Sequence, residues 1–126
     1  MLEVEVIGTA EGAPPFAEIE RLTGIALASA GIEDGHVAIS FVEEERIHEL
    51  NLEHRGKDKP TDVLSFPIDE DDEPMGPREL GDVVICAAWT EDLREAVVHG
   101  VLHLTGMDHE TDHGEMLALQ AEIMSW

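Results

Sequence analysis

The stretch His99-Gly-Val-Leu-His103-Leu-Thr-Gly106-Met-Asp108-His109 restricts this chain more than any other. Histidines four apart fall on one face of a helix. Gly106, three residues after the second, can stop that helix with a positive φ, and the chain can then fold back to present His109. Leu93, Val97, Gly100, Val101 and Leu104 form one stripe beside the histidines, and Val98 and Leu102 make most of the remaining surface apolar. Such a helix is buried. Imidazoles held in it without partners cost free energy, so a shared metal ion is the simplest account of all three.

Three protein ligands and an open fourth position are the usual composition of a catalytic zinc site, in which the pKa of the bound water falls toward about 7. The spacing matches the metalloprotease pattern H-E-x-x-H-x-x-G-x-x-H at every position but one, because Gly100 stands where the glutamate belongs. That glutamate is the general base of those enzymes, and glycine cannot replace it. Peptide hydrolysis by that route is therefore disfavoured, although a zinc hydrolase of another class, such as a metallopeptidase with a different base, stays open. Three imidazoles also suit nickel, cobalt or copper. Asp108 either orients a ligand or caps the turn. His113 is expected to be exposed, and His36, His48 and His54 read as surface residues.

The rest of the chain alternates strand and helix signals. Leu2, Val4 and Val6 alternate with Glu3 and Glu5, the period of a half-buried strand; this start reads as a strand and not as a secretory signal. Pro14 and Pro15 open a helix running to about Ala30, with Phe16, Ile19, Leu22 and Ala26 inward and Gly31 as its stop. Residues 36–42 alternate again. Glu43, Glu44 and Glu45 crowd the first turn of a second helix, where acid suits the helix dipole, and Ile47 and Leu50 are its core contacts. That helix is expected to end near 51–54, with Arg55-Gly56 beginning a loop. Residues 61–67 form a short strand ended by Pro67.

An acidic loop, 69–73 with Pro74, Gly76 and Pro77, lacks the regular ligand spacing of a calcium site. Residues 80–87 read as a central strand buried on both faces, with Cys86, the single cysteine, as a core residue. Thr90 is placed as the N-cap of the histidine helix, and Asp112-x-x-Glu115 resembles a capping box for a last helix bearing Met116, Leu119 and Ile123. The order β-α-β-α-β-β-α-α gives a single α+β domain over residues 1–126, with a mixed sheet of about four strands and about four helices. No apolar run is long enough for a membrane span.

The formal net charge is −22. This argues against coating nucleic acid by bulk electrostatics and suits solubility, a basic protein partner or life at high salt equally. Of seven Lys and Arg residues, three fall in Arg55-Gly-Lys57-Asp-Lys59. Such a cluster can fork around phosphate oxygens, and since it leads straight into a core strand it should be held in place.

With these segments in view, the chain resembles the bacterial YbeY endoribonuclease family. The residues that carry the resemblance are Asn51-Leu-x-x-Arg55-Gly-Lys57-Asp-Lys59-Pro-Thr-Asp-Val-Leu-Ser-Phe-Pro67, Leu80-Gly-Asp-Val-Val-Ile85 and His99-Gly-x-Leu-His103-Leu-x-Gly106-x-Asp108-His109. The family also has glycine at the position of Gly100; Met107 stands where an aromatic is frequent, and Cys86 where a small polar residue is frequent. The resemblance implies a metal-dependent, single-strand-specific endoribonuclease active in ribosomal RNA processing, notably small-subunit 3′-end maturation, and in ribosome quality control; the single cysteine, which allows no internal disulfide, is consistent with a reducing cytoplasm. The resemblance also implies one zinc ion on His99, His103 and His109. It implies that Arg55 is the functionally important arginine, lining the cleft beside the metal; a catalytic role for Arg55 on the phosphate, with Lys57 and Lys59 contributing to substrate binding, is the expectation drawn from the basic loop. Single-stranded and ribosomal RNA are the implied substrates and small-subunit proteins the implied partners. A ribosome-assembly factor with a structural metal, working by binding alone, remains the alternative from another class.

Overall fold

The alternation at the start of the chain forms an edge strand, and the sheet builds from it. The computed structural model describes residues 2–68 and 79–125; the acidic run 69–73 lies outside them. Strand β1 (Leu2–Ile7) leads to helix α1 (Phe16–Ala28), strand β2 (Gly35–Val42) to helix α2 (Glu44–Arg55), and strands β3 (Val63–Pro67) and β4 (Glu79–Cys86) follow. A 3-10 turn at Ala87–Trp89, helix α3 (Leu93–Leu104) and helix α4 (Glu115–Met124) complete the α+β order read from the sequence. The sheet order is β1-β2-β4-β3, with β1, β2 and β4 parallel and β3 antiparallel to β4.

The two sheet faces are covered unequally. Helices α1, α3 and α4 pack on one face through Ile19, Leu22, Val97, Val101, Met116 and Ile123, against Val37, Ile39, Val83 and Ile85. Helix α2 covers the other with Ile47, over Leu64, Val84 and Cys86. Double coverage is why β4 reads as a nearly continuous apolar run. At about 25 cal/mol per Å2 of apolar surface, each fully buried Leu, Ile or Val contributes roughly 1.5–3 kcal/mol.

Glu18 joins α1 to α3: its Oε1 accepts from Arg94 Nη2 at 3.1 Å and from Arg21 Nη2 at 2.7 Å. The Arg21 hydrogen bond, against partial desolvation and with help from Arg94, lowers the Glu18 carboxyl to about 2.

Four local expectations are corrected. Phe16 is in phase with Ile19 and Leu22 but stands at the first residue of α1, where no neighbour covers it, and it is 51% exposed. Helix α1 ends at Ala28, two residues early, because the chain tightens through Gly31 with Ile32 N–H donating to the Leu27 carbonyl. Helix α2 runs on through Arg55, since the left-handed residue that stops it is Gly56, φ 69°. Thr90 is not the cap of α3. Asp92 is, its carboxylate accepting from the N–H groups of Arg94 and Glu95, while the Thr90 hydroxyl turns back to the Cys86 carbonyl at 2.7 Å.

The last helix uses its two acids in a displaced version of the expected box. Asp112 accepts from Gly114 and Met116 N–H, and Glu115 accepts from His113 N–H, with Gly114 as the N-cap residue.

Candidate metal centre and the cleft around it

The packing of α3 on the sheet sets the height of the histidines. Gly100 lies where any Cβ would collide with Val83 Cγ1 and come within 3.2 Å of Val63 Cγ2. Its carbonyl also accepts the Ser65 hydroxyl at 2.8 Å, binding helix to strand β3. The residue between the two possible ligands is therefore a packing residue, and a glutamate side chain has no room there.

His99 and His103 lie beside Gly100 on the same helix, both half-buried. Gly106, φ 98°, then ends α3, with Met107 N–H donating to the Leu102 carbonyl. Asp108 caps the turn that follows, its carboxylate accepting from Glu110 N–H and its carbonyl from Thr111 and Asp112 N–H. His109 is carried back to the first two rings, with ring centroids 5.0 Å from His99 and 5.3 Å from His103.

Hydrogen bonding fixes which nitrogens face inward. His99 Nδ1–H donates to Gln120 Oε1 at 2.8 Å, and His103 Nδ1–H donates to the Met107 carbonyl at 3.0 Å. Both acceptors are pure acceptors, so in the neutral rings both Nε2 atoms carry lone pairs. Those two atoms lie 3.2 Å apart. Lone pairs facing at that distance repel unless a cation lies between them, and about 3.4 Å is the nitrogen separation that a tetrahedral zinc ion sets. One ligand nitrogen from each of His99, His103 and His109 falls within 4.8 Å of the others. Burial first, then the His99 ring, lowers the pKa of His103 below the usual imidazole range, which keeps it neutral for a metal at physiological pH. The residues present therefore fit a metal ion.

Sequence reasoning did not find Gln120. It is nearly buried on α4, in line with Met116 and Ile123. A polar residue inside that apolar stripe is the signal that marks it.

The histidines open into a cleft of about 640 Å3. Arg55, at the last turn of α2, lines the same cleft with His54, Asp62, Phe66, Asp108 and Glu110. The His54 and Phe66 rings meet edge-on at 4.9 Å. Lys57 and Lys59 are not among the lining residues. Their loop is nonetheless held: Asn51 Nδ2 donates to the Lys59 carbonyl at 2.8 Å, and Lys57 N–H donates to the Asn51 carbonyl. Among the described residues Arg55 thus shares the cleft lining with three carboxylates, a balance that a divalent cation would bring to neutrality.

Comparison with known proteins gives the family of the chain. A family model described as Endoribonuclease YbeY matches residues 17–126. The chain belongs to the YbeY endoribonuclease family. The YbeY endoribonuclease of Rubrobacter xylanophilus is 42% identical over 130 residues, spanning 96% of this chain and 93% of that protein. That of Acinetobacter baylyi is 44% identical over 110 residues, spanning 73% and 69%. The solution structure of TM1509 from Thermotoga maritima superposes with a TM-score of 0.59 at 28% identity, over 97% of this chain and 87% of that one. As in the reading of the sequence, no helix among the described residues is long and apolar enough to cross a membrane.

Proposed function

We propose that this chain is a zinc-dependent endoribonuclease that cleaves single-stranded RNA, acting in ribosomal RNA processing at the small-subunit 3′ end and in ribosome quality control in the cytoplasm. Membership of the YbeY family supports the reaction class. The observation that carries the metal dependence is the pair of Nε2 atoms 3.2 Å apart, with both Nδ1 atoms engaged elsewhere, in a cleft that Arg55 lines.

When bound by His99, His103 and His109, zinc supplies Lewis-acid charge to the phosphoryl group and lowers the pKa of water. The protein residues do the rest. Gln120 and the Met107 carbonyl hold the imidazoles in the tautomer a metal requires. Arg55 presents a guanidinium to the charge that builds on the phosphate, from a helix terminus and not from a loose loop. Lys57 and Lys59 meet the strand as it enters, outside the cleft itself.

Gly100 separates this reading from a metallopeptidase, because the position of the protease base is filled by the helix–sheet contact. The charge of −22 separates it from a nuclease that binds free RNA by bulk attraction; basic small-subunit proteins are the partners that deliver the substrate. The test is RNA cleavage before and after chelation, with metal analysis of the same preparation. Cleavage that survives complete metal removal overturns the reading.

A further inference from the structure

A second hollow, of about 430 Å3, adjoins the metal centre, with His99 and Gln120 in its wall, and its remaining lining has no part in the roles above. It shares Asp62, Val63 and His99 with the main cleft, so the two meet at a metal ligand. Its distinctive wall is Trp89, 52% exposed, with Leu117 of α4, 48% exposed, also lining it. Trp89 is set in the short turn that follows β4, and the Thr90 hydroxyl ties that turn to the Cys86 carbonyl. An indole left half in water on a fixed support, beside a catalytic cleft, is an unfilled stacking surface.

The geometry points to a nucleobase subsite in which Trp89 stacks on one base of a single-stranded RNA whose scissile phosphate lies at the metal centre. This rests on the endoribonuclease reading. The charges of the hollow choose which part of a nucleotide enters. Among the described residues, Asp62, Glu91, Asp92 and Glu95 line it and no Lys or Arg does, so a phosphate is repelled. A base has a π-face for the indole and donors for the rim carboxylates. The backbone then runs on the Arg55 side, where the lining cation is. A cationic peptide is the rival occupant. It would crowd the cleft that His99 shares with the hollow, whereas the neighbouring base of the substrate occupies that space as part of the same strand.

The test uses zinc-loaded full-length protein carrying Trp126→Phe, so that Trp89 is the only indole, and a short 2′-O-methyl oligonucleotide. Binding should quench Trp89 fluorescence. By anisotropy of the same oligonucleotide labelled with fluorescein, which needs no indole, Trp89→Ala should bind about tenfold to a hundredfold more weakly, and Trp89→Phe should keep most of the affinity. An oligonucleotide with one abasic residue at that position should lose the same factor on the parent and nothing further on Trp89→Ala. Zinc content should be unchanged in each variant. If Trp89→Ala binds and cleaves like the parent, the subsite is overturned while the endoribonuclease reading stands. Quenching by a lysine-rich peptide and not by the oligonucleotide overturns it in favour of a protein surface. A parent that neither binds nor cleaves RNA overturns both.

Discussion

Gln120 reaches from α4 to hold His99 on α3, its Oε1 2.8 Å from the ring Nδ1. The amide is a neutral acceptor at a position where a carboxylate would raise the basicity of the ring further. Removing such an outer partner costs about tenfold to a hundredfold in metal affinity. Gln120→Leu should weaken zinc binding by that factor in a chelator competition, and Gln120→Glu should hold zinc at least as tightly as the parent. Equal affinities for Leu and Gln at 120 would show that His99 is positioned without help.

Arg55 is expected to act on the substrate and not on the metal. Arg55→Glu should lower RNA cleavage by about 10^2 to 10^3-fold with zinc content unchanged. Arg55→Lys keeps the charge but not the planar fork, and should fall between the two. Cleavage by Arg55→Glu at the parent rate, under matched salt and metal, removes Arg55 from the mechanism.

The contact of Gly100 with Val83 makes a stability prediction that needs no activity assay. Gly100→Ala forces α3 away from the sheet or moves Val83, at about 1–3 kcal/mol in denaturant unfolding. Val83→Ala in the same chain removes the blocking methyl, so the double variant should be less destabilised than the two single losses together. Strict additivity would mean that the helix is not seated on Val83 as described.

A pH effect is expected far from the cleft. His36 on β2 lies between Glu79 of β4, 2.9 Å from Nδ1, and Glu5 of β1, 3.1 Å from Nε2. Glu79 first, and Glu5 after it, raise the His36 pKa above its usual value despite partial burial. A folded pKa above the unfolded one contributes stability that is fully present below the unfolded pKa, about 6.5, and is lost as pH rises through the folded value. With both carboxylates largely exposed, the effect is at most about 1 kcal/mol. Thermal midpoints of the parent should therefore drop more than those of His36→Gln between about pH 6 and pH 9. Parallel curves would mean that the ring is not protonated in the folded state.

Much of this was legible before any coordinates, for a physical reason. The histidine centre lies within one helix and its turn, so local periodicity and one glycine define it, and strand alternation and capping signals are local as well. Contacts between distant segments are not. Arg55 at the histidine cleft came from family resemblance, since nothing in its own neighbourhood points across the fold. Gln120 was missed because its partner lies on another helix. Thr90 and Asp92 competed for one cap, and Asp92, directly before Leu93, is the residue whose carboxylate reaches the free N–H groups of α3.

The two imidazole supports differ in kind. His99 depends on the side chain at 120, whereas His103 depends on a main-chain carbonyl in the turn made by Gly106. Every amino acid that accepts the geometry of position 107 brings the same oxygen to the same place. The centre is thus insulated from drift at Met107 and vulnerable to drift at Gln120, so neutral variation should accumulate on one side of the site and not on the other.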